Sequence, residues 1–170
     1  MALSEIAKLA LKEHLPDLIE GTYARKYGWQ VDMNWETGLC HVRLTCPSPS
    51  GEQGEMDTYM LQLAFDYYNM EQPGVRFVSP ADRRIGERDE FERWWPNVEG
   101  NPFINMQLVQ DNPAKSYLCF QWTHEFKETH AALADGDAKK WDPNKHSVVG
   151  VVRMVQRALN SSHYKGYRKK

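Results

Sequence analysis

The residues with the widest chemical reach lie between Tyr117 and Leu159. Cys119 sits in an apolar strand-like setting, Tyr117-Leu118-Cys119-Phe120. His124 follows five residues later, and His130 lies six further on. A thiol attacks only as the thiolate, and a nearby base or cation supplies that form, so Cys119 is the candidate nucleophile and His124 the candidate base or orienting group. His130 offers the same chemistry. Cys119, His124, Glu125 and His130 together are also a zinc donor set, but their spacing matches no closed structural motif, so no metal is expected. Asp135 and Asp137 flank Gly136 and read as turn residues. Cys40 and Cys46 are different: they share the covered side of a strand pattern with Val42 and Leu44 and read as core.

The elements that must position these groups follow from hydrophobic period. Residues 3–15 carry Leu3, Ile6, Leu9, Ala10 and Leu11 as a helical stripe, with Pro16 expected to end the helix. The period then shortens to two. Trp29, Val31, Met33 and Trp35 alternate with polar residues, Thr37-Gly38 turns the chain, and Val42 and Leu44 run back. Pro47 to Glu55 holds two prolines, two serines and two glycines and reads as a loop. Tyr59, Leu61, Leu63 and Phe65 form the clearest strand, and Val75, Phe77 and Val78 a shorter one. A helix followed by hairpin-connected strands predicts an α+β fold, a four-stranded antiparallel meander with the helix on one face.

Residues 82–93 alternate charges of both signs and read as solvated loop or short exposed helix. Trp94-Trp95-Pro96-Asn97-Val98 should be rigid and irregular, because adjacent tryptophans face opposite ways and Pro96 bars a helix interior. Phe103 to Val109 fits either a strand or a helical turn. Val148, Val151, Val152, Val155 and Leu159 fall at helical spacing, with Pro143 suited to a first turn and Asn144 or Ser147 to a cap.

With 170 residues, 41% hydrophobic and 26% charged, the chain suits one globular domain. No apolar run approaches the roughly 20 residues that span a bilayer, and Glu5, Lys8, Lys12 and Glu13 interrupt any signal-like core. Three cysteines without framework spacing point to free thiols in a reducing compartment, so a cytoplasmic protein is expected, without membrane association. A net charge of −2 gives no general attraction to nucleic acid. The boundary expected is a domain over residues 1–162 and a basic C-terminal tail over 163–170, carrying Lys165, Arg168, Lys169 and Lys170.

In order, the chain offers Pro73-Gly74-Val75-Arg76-Phe77, Trp95-Pro96-Asn97-Val98, Leu118-Cys119-Phe120, Trp141-Asp142-Pro143 and the helix over 148–159. This order resembles the ubiquitin-conjugating enzyme family over roughly residues 3–160. Two departures stand out. The family's His-Pro-Asn reads Trp-Pro-Asn here, with Cys119 well beyond Asn97. A second insert, Thr123 to Lys140, separates the cysteine from Trp141. Such insertions look like the divergent prokaryotic branch encoded in antiphage operons.

The resemblance implies a fold of N-terminal helix, antiparallel meander, irregular catalytic segment and C-terminal helix. It implies a bacterial transferase in which Cys119 takes the C-terminus of a ubiquitin-like modifier, or of another protein tail, as a thioester and passes it to a target lysine. Asn97 would be the oxyanion donor, with Asn101, Asn105 and Asn112 as alternatives. An activating enzyme and a target protein are the implied partners. No cofactor is expected, and with no phosphate-cradling glycine loop in this chain the ATP chemistry falls to the activating enzyme. The alternatives are a catalytically inactive binding module of the same fold, and a cysteine hydrolase built on Cys119 and His124.

Overall fold

Ser4 opens the first helix, α1 (Glu5–Glu20), by accepting the Ala7 backbone N–H on its hydroxyl at 3.1 Å, and Glu5 adds negative charge to the first turn. In the computed structural model, which describes residues 3–49, 51–66, 68–102, 104–129 and 140–168, α1 runs straight through Pro16. The expectation that Pro16 ends the helix is therefore corrected. An interior proline removes a backbone donor and costs about 3 kcal/mol. Here Leu15 and Leu18 bracket it in the core, continuing the stripe of Ala7 and Leu11, and burial outweighs propensity. A short α2 (Thr22–Tyr27) ends at Gly28, whose φ of 66° is left-handed.

Four strands follow as an antiparallel meander: β1 (Gln30–Asn34), β2 (Leu39–Pro47), β3 (Met56–Ala64) and β4 (Gly74–Val78). The register aligns Val42 with Leu61 and Leu61 with Phe77, which puts the apolar alternation of each strand on one face. Cys40, Val42, Leu44, Cys46, Tyr59, Leu61, Leu63, Val75 and Phe77 are fully buried there. The C-terminal helix, α4 (Val148–Leu159), packs on β2 and α1 through Val148, Val151, Val152, Val155 and Leu159. The chain is thus α+β, with an N-terminal helix and a four-stranded antiparallel sheet.

Gln156 ties the layers together, accepting the Trp29 indole N–H at 2.9 Å and donating to the Thr45 carbonyl at 2.9 Å. The start of α4 differs from expectation. Ser147 is the cap residue, but its side chain makes no capping bond. Instead the Tyr68 hydroxyl accepts the Val148 N–H at 2.9 Å and also bonds His14 Nδ1 at 2.7 Å. Pro143 lies in a turn ahead of the helix, where Asp142 Oδ1 accepts the Asn144 N–H, and not in its first turn.

The charged stretch is exposed and ion-paired, with Arg84 bridging Asp82 at 2.7 Å and Glu90 at 2.9 Å. Trp95 is buried edge-on against Phe77 while Trp94 takes Arg84 over its ring. Gly86, at φ 83°, lies so close to the Trp94 ring that a Cβ there would meet it at 2.2 Å. Pro96 then begins β5 (Pro96–Val98), a position in which a strand tolerates its missing donor.

The region expected as a basic tail is corrected in part. Tyr164–Tyr167 forms a strand paired antiparallel with β5. Its Tyr164 hydroxyl is buried against the Asp57 carboxylate and the Tyr59 hydroxyl, the latter at 2.7 Å. Lys165 and Arg168 remain exposed. Among the described residues no helix is long and apolar enough to cross a membrane.

Candidate functional site

Beyond β5 the chain makes a small ribbon, β6 (Asn105–Gln107) paired antiparallel with β7 (Tyr117–Cys119), before α3 (His124–Thr129), α4 and β8 (Tyr164–Tyr167). Three residues per strand is too little to be stable alone, so the ribbon depends on its neighbours. β7 packs on β4 and α3. Arg76 of β4 donates from Nη1 to the Ala114 carbonyl at 2.7 Å, fixing the turn that leads into β7, and Ser116 Oγ accepts the Val109 N–H at 2.9 Å across the ribbon.

Alternation within the ribbon decides what faces out. Leu118 is fully buried, and its partner Met106 packs against the core. Cys119 and Tyr117 therefore face the other way, half-buried, together with Asn105 and Gln107. The register places Asn105 directly opposite Cys119. Directly opposed residues of an antiparallel pair have Cβ atoms about 4.5–5.5 Å apart and share a face. The register thus sets Asn105 and Cys119 side by side on the ribbon's outer face, with Asn105 exposed.

The three cysteines divide sharply. Cys40 and Cys46 are fully buried, and burial pushes their thiols up to about 12 and about 11 respectively. At neutral pH neither forms a usable thiolate. Cys119 alone reaches the surface. Of the aromatic residues near it in sequence, Phe120 is buried, and Tyr117 and Trp122 are half-buried.

After Cys119 the chain turns tightly, Thr123 donating its backbone N–H to the Phe120 carbonyl at 2.9 Å, and Thr123 Oγ1 accepts the Phe126 N–H at the start of α3. His124 is the first residue of this helix, and its N–H donates to the Pro73 carbonyl at 3.0 Å. Its ring Nδ1 lies 3.6 Å from Glu71 Oε2, while Glu71 also pairs with Lys127 at 2.5 Å. His124 is thus held on the arm of the turn that follows the cysteine and points toward the β3–β4 connection. Asn97 stands elsewhere. It lies on β5, in the β5–β8 ribbon, and its side-chain amide donates to Glu99 Oε1 at 2.9 Å. His130, Asp135, Gly136 and Asp137 fall outside the described residues.

Two groups carried no usable sequence signal. Glu125 accepts the Val75 N–H with both carboxylate oxygens at 3.3 Å, and burial raises its carboxyl to about 7. Gly74 makes this approach possible, since a Cβ there would sit 3.2 Å from Glu125 Oε1. His146 lies between Trp122 and Trp141, with ring centroids at 4.9 and 5.4 Å, and its Nδ1 accepts the Asp142 N–H at 2.9 Å. Burial lowers its pKa below the usual imidazole value. Neither residue is marked by a motif; only the fold brings their partners near.

Among the described residues no group of three or more His, Cys, Asp or Glu is placed to hold a metal ion. No protein-family model matches the chain, and no curated protein matches it.

Proposed function

We propose that the chain is a ubiquitin-conjugating-like acyltransferase acting through Cys119. One observation carries this reading: of three cysteines, only Cys119 is not buried, and it lies on a ribbon whose opposing strand sets Asn105 directly opposite it. The order of N-terminal helix, antiparallel meander, cysteine-bearing segment and C-terminal helix supports a ubiquitin-conjugating-like fold.

In this reading the Cys119 thiolate attacks the thioester carbonyl of a modifier, or other protein tail, held on an activating enzyme. The activating enzyme's sulfur leaves, and the tail becomes a thioester on Cys119. A target lysine amine then attacks that carbonyl, the Cys119 sulfur leaves, and the amine proton passes to solvent or a base, for which His124 is the candidate. The oxyanion formed at each step needs a donor. Asn105, opposite Cys119, is better placed for this than Asn97, whose amide is engaged by Glu99. The setting is a bacterial, cytoplasmic antiphage system.

Loading tests the proposal. With ATP and the activating enzyme and modifier encoded beside it, the protein should gain a reductant-sensitive adduct of the modifier's mass. That adduct should be lost in Cys119→Ala and kept in Cys40→Ala and Cys46→Ala. No adduct, with the activating enzyme itself shown to be charged, overturns the reading. The engaged Asn97 and the buried Trp95 favour a second reading, an inactive binding module of the same fold. It predicts modifier binding without any adduct.

A further inference from the structure

The outer face of the meander, turned away from α1 and α4, is partly covered. Met60 on β3 and its register partner Val78 on β4 lie on that face by alternation, yet both are buried, and neither belongs to the main core. Residues 79–84 run on from Val78 and come back over the sheet. An ion pair between Arg83 Nη1 and Asp32 Oδ2 fixes the crossing, and Asp32 lies on β1, three strands from β4. Three strand spacings are about 14 Å, more than an arginine side chain spans, so the segment itself crosses the face as a strap. Two backbone bonds close it, from the Arg83 N–H to the Ser79 carbonyl and from the Ser79 N–H to the Arg84 carbonyl, each at 2.9 Å.

His41 lies beneath this crossing and keeps only 7% of its surface exposed, with Asp32 directly opposite on β1 and Gln62 opposite on β3. Gln62 Nε2 donates to His41 Nε2 at 3.0 Å, a bond that only the neutral ring accepts. The charged groups facing His41 are Asp32 from β1 and Arg83 from the strap, while β3 offers the uncharged Gln62. Arg43 lies two residues along β2 on the same face, and Arg76 lies beyond Gln62 on β4. Little holds the strap shut. Arg83 sits at φ 62°, a left-handed conformation that residues other than glycine avoid, and its pair with Asp32 is half-exposed and therefore weak.

We propose that residues 79–84 are an acid-released strap: when His41 takes up a proton, its imidazolium claims the Asp32 carboxylate, Arg83 is set free, and the outer face opens. Protonation removes the acceptor that Gln62 uses and puts a cation beside the Arg83 guanidinium in a nearly closed site. Opening relieves both. Burial first, and Arg83 second, lower the His41 pKa in the closed form, and neither acts once the strap lifts. Protons therefore favour the open form, and closure, complete above the ordinary imidazole value, is lost as pH falls through the closed-form one. The far end stays anchored, because Arg84 keeps Asp82, Glu90 and the Trp94 ring. None of this depends on the chemistry at Cys119.

The experiment is amide hydrogen exchange of the full chain at pH 7.5 and pH 5, corrected for the intrinsic pH dependence of exchange. Protection at the Ser79 and Arg83 amides should fall at least about threefold at pH 5, with no parallel fall at the Leu61 amide in the core. His41→Gln keeps a polar group that takes up no proton, and should abolish this response. Asp32→Asn, at an exposed position outside the core, should lower protection at both strap amides already at pH 7.5. Any of three results overturns the proposal: equal protection at the two pH values in wild type, a fall that persists in His41→Gln, or an Asp32→Asn protein indistinguishable from wild type at these amides.

Discussion

Cys40 and Cys119 each lie on a strand of an antiparallel pair, and they differ in almost everything that matters for a thiol. Cys40, with Cys46, faces a layer of two helices, in register with Leu63 on β3, and has no exposed surface. Cys119 faces outward from a strand of three residues, opposite a polar residue. Sequence alternation put all three in strand-like apolar surroundings. What separates them is the layer on the far side: the meander's apolar face is covered by α1 and α4, whereas the ribbon buries Leu118 and turns its other face out.

Alkylation of the native protein gives the sharpest test of that contrast. Brief iodoacetamide treatment followed by peptide mapping should modify Cys119, while Cys40 and Cys46 react at least about a thousandfold more slowly, because they must wait for the core to open. Comparable labelling of Cys40 would erase the distinction.

Packing should divide the same way. Leu61→Ala, in the covered face, should cost about 3–4 kcal/mol in denaturant unfolding. Met106→Ala, on the ribbon's inner side, should cost about 1–2 kcal/mol, since Met106 is only partly buried. Equal costs would mean that the ribbon is as much core as the meander.

Glu125 makes the join between ribbon and meander sensitive to pH. Its folded-state pKa, about 7, is raised above the unfolded value of 4.5, so folding favours the protonated form. The stabilisation is fully present below pH 4.5 and is lost as pH rises through 7, by up to about 2–3 kcal/mol. Unfolding curves at pH 5 and pH 8 measure this. Glu125→Gln should flatten the difference, and an unchanged pH dependence in that variant would remove Glu125 from the account.

His146 should act in the opposite direction and more weakly. Its folded-state pKa is lowered, because burial between Trp122 and Trp141 favours the neutral ring. Its contribution is present above the unfolded value near 6.5 and is lost as pH falls through the folded one. Protonating Nδ1 would also break the bond from Asp142. His146→Gln should remove this loss between pH 7 and pH 5. Hydrogen exchange at the Asp142 amide reads the local effect.

The meander was legible because its alternation is uninterrupted and its loops carry glycine and proline: Cys40 to Cys46 and Tyr59 to Phe65 each declare one face. Pro16 misled, since local propensity speaks against a proline that Leu15 and Leu18 retain through burial. Tyr164-Lys165-Gly166-Tyr167 does alternate, but in so short a stretch among basic residues the pattern has no weight until Asp57, Tyr59 and β5 supply distant partners. The cap of α4 was illegible for the same reason, coming from Tyr68 some 80 positions earlier. At the site, Cys119 was legible from its setting. The contrast between Asn97 and Asn105 was not, because it depends on which strand pairs with which.

The most direct test of the central claim replaces the sulfur and keeps its position. Cys119→Ser, loaded by a charged activating enzyme, should trap the modifier as an ester that resists thiol reductant and is cleaved by mild alkali. Fragment spectra should place it on residue 119. An adduct that reductant still removes, or one mapped to any other residue, would contradict the assignment.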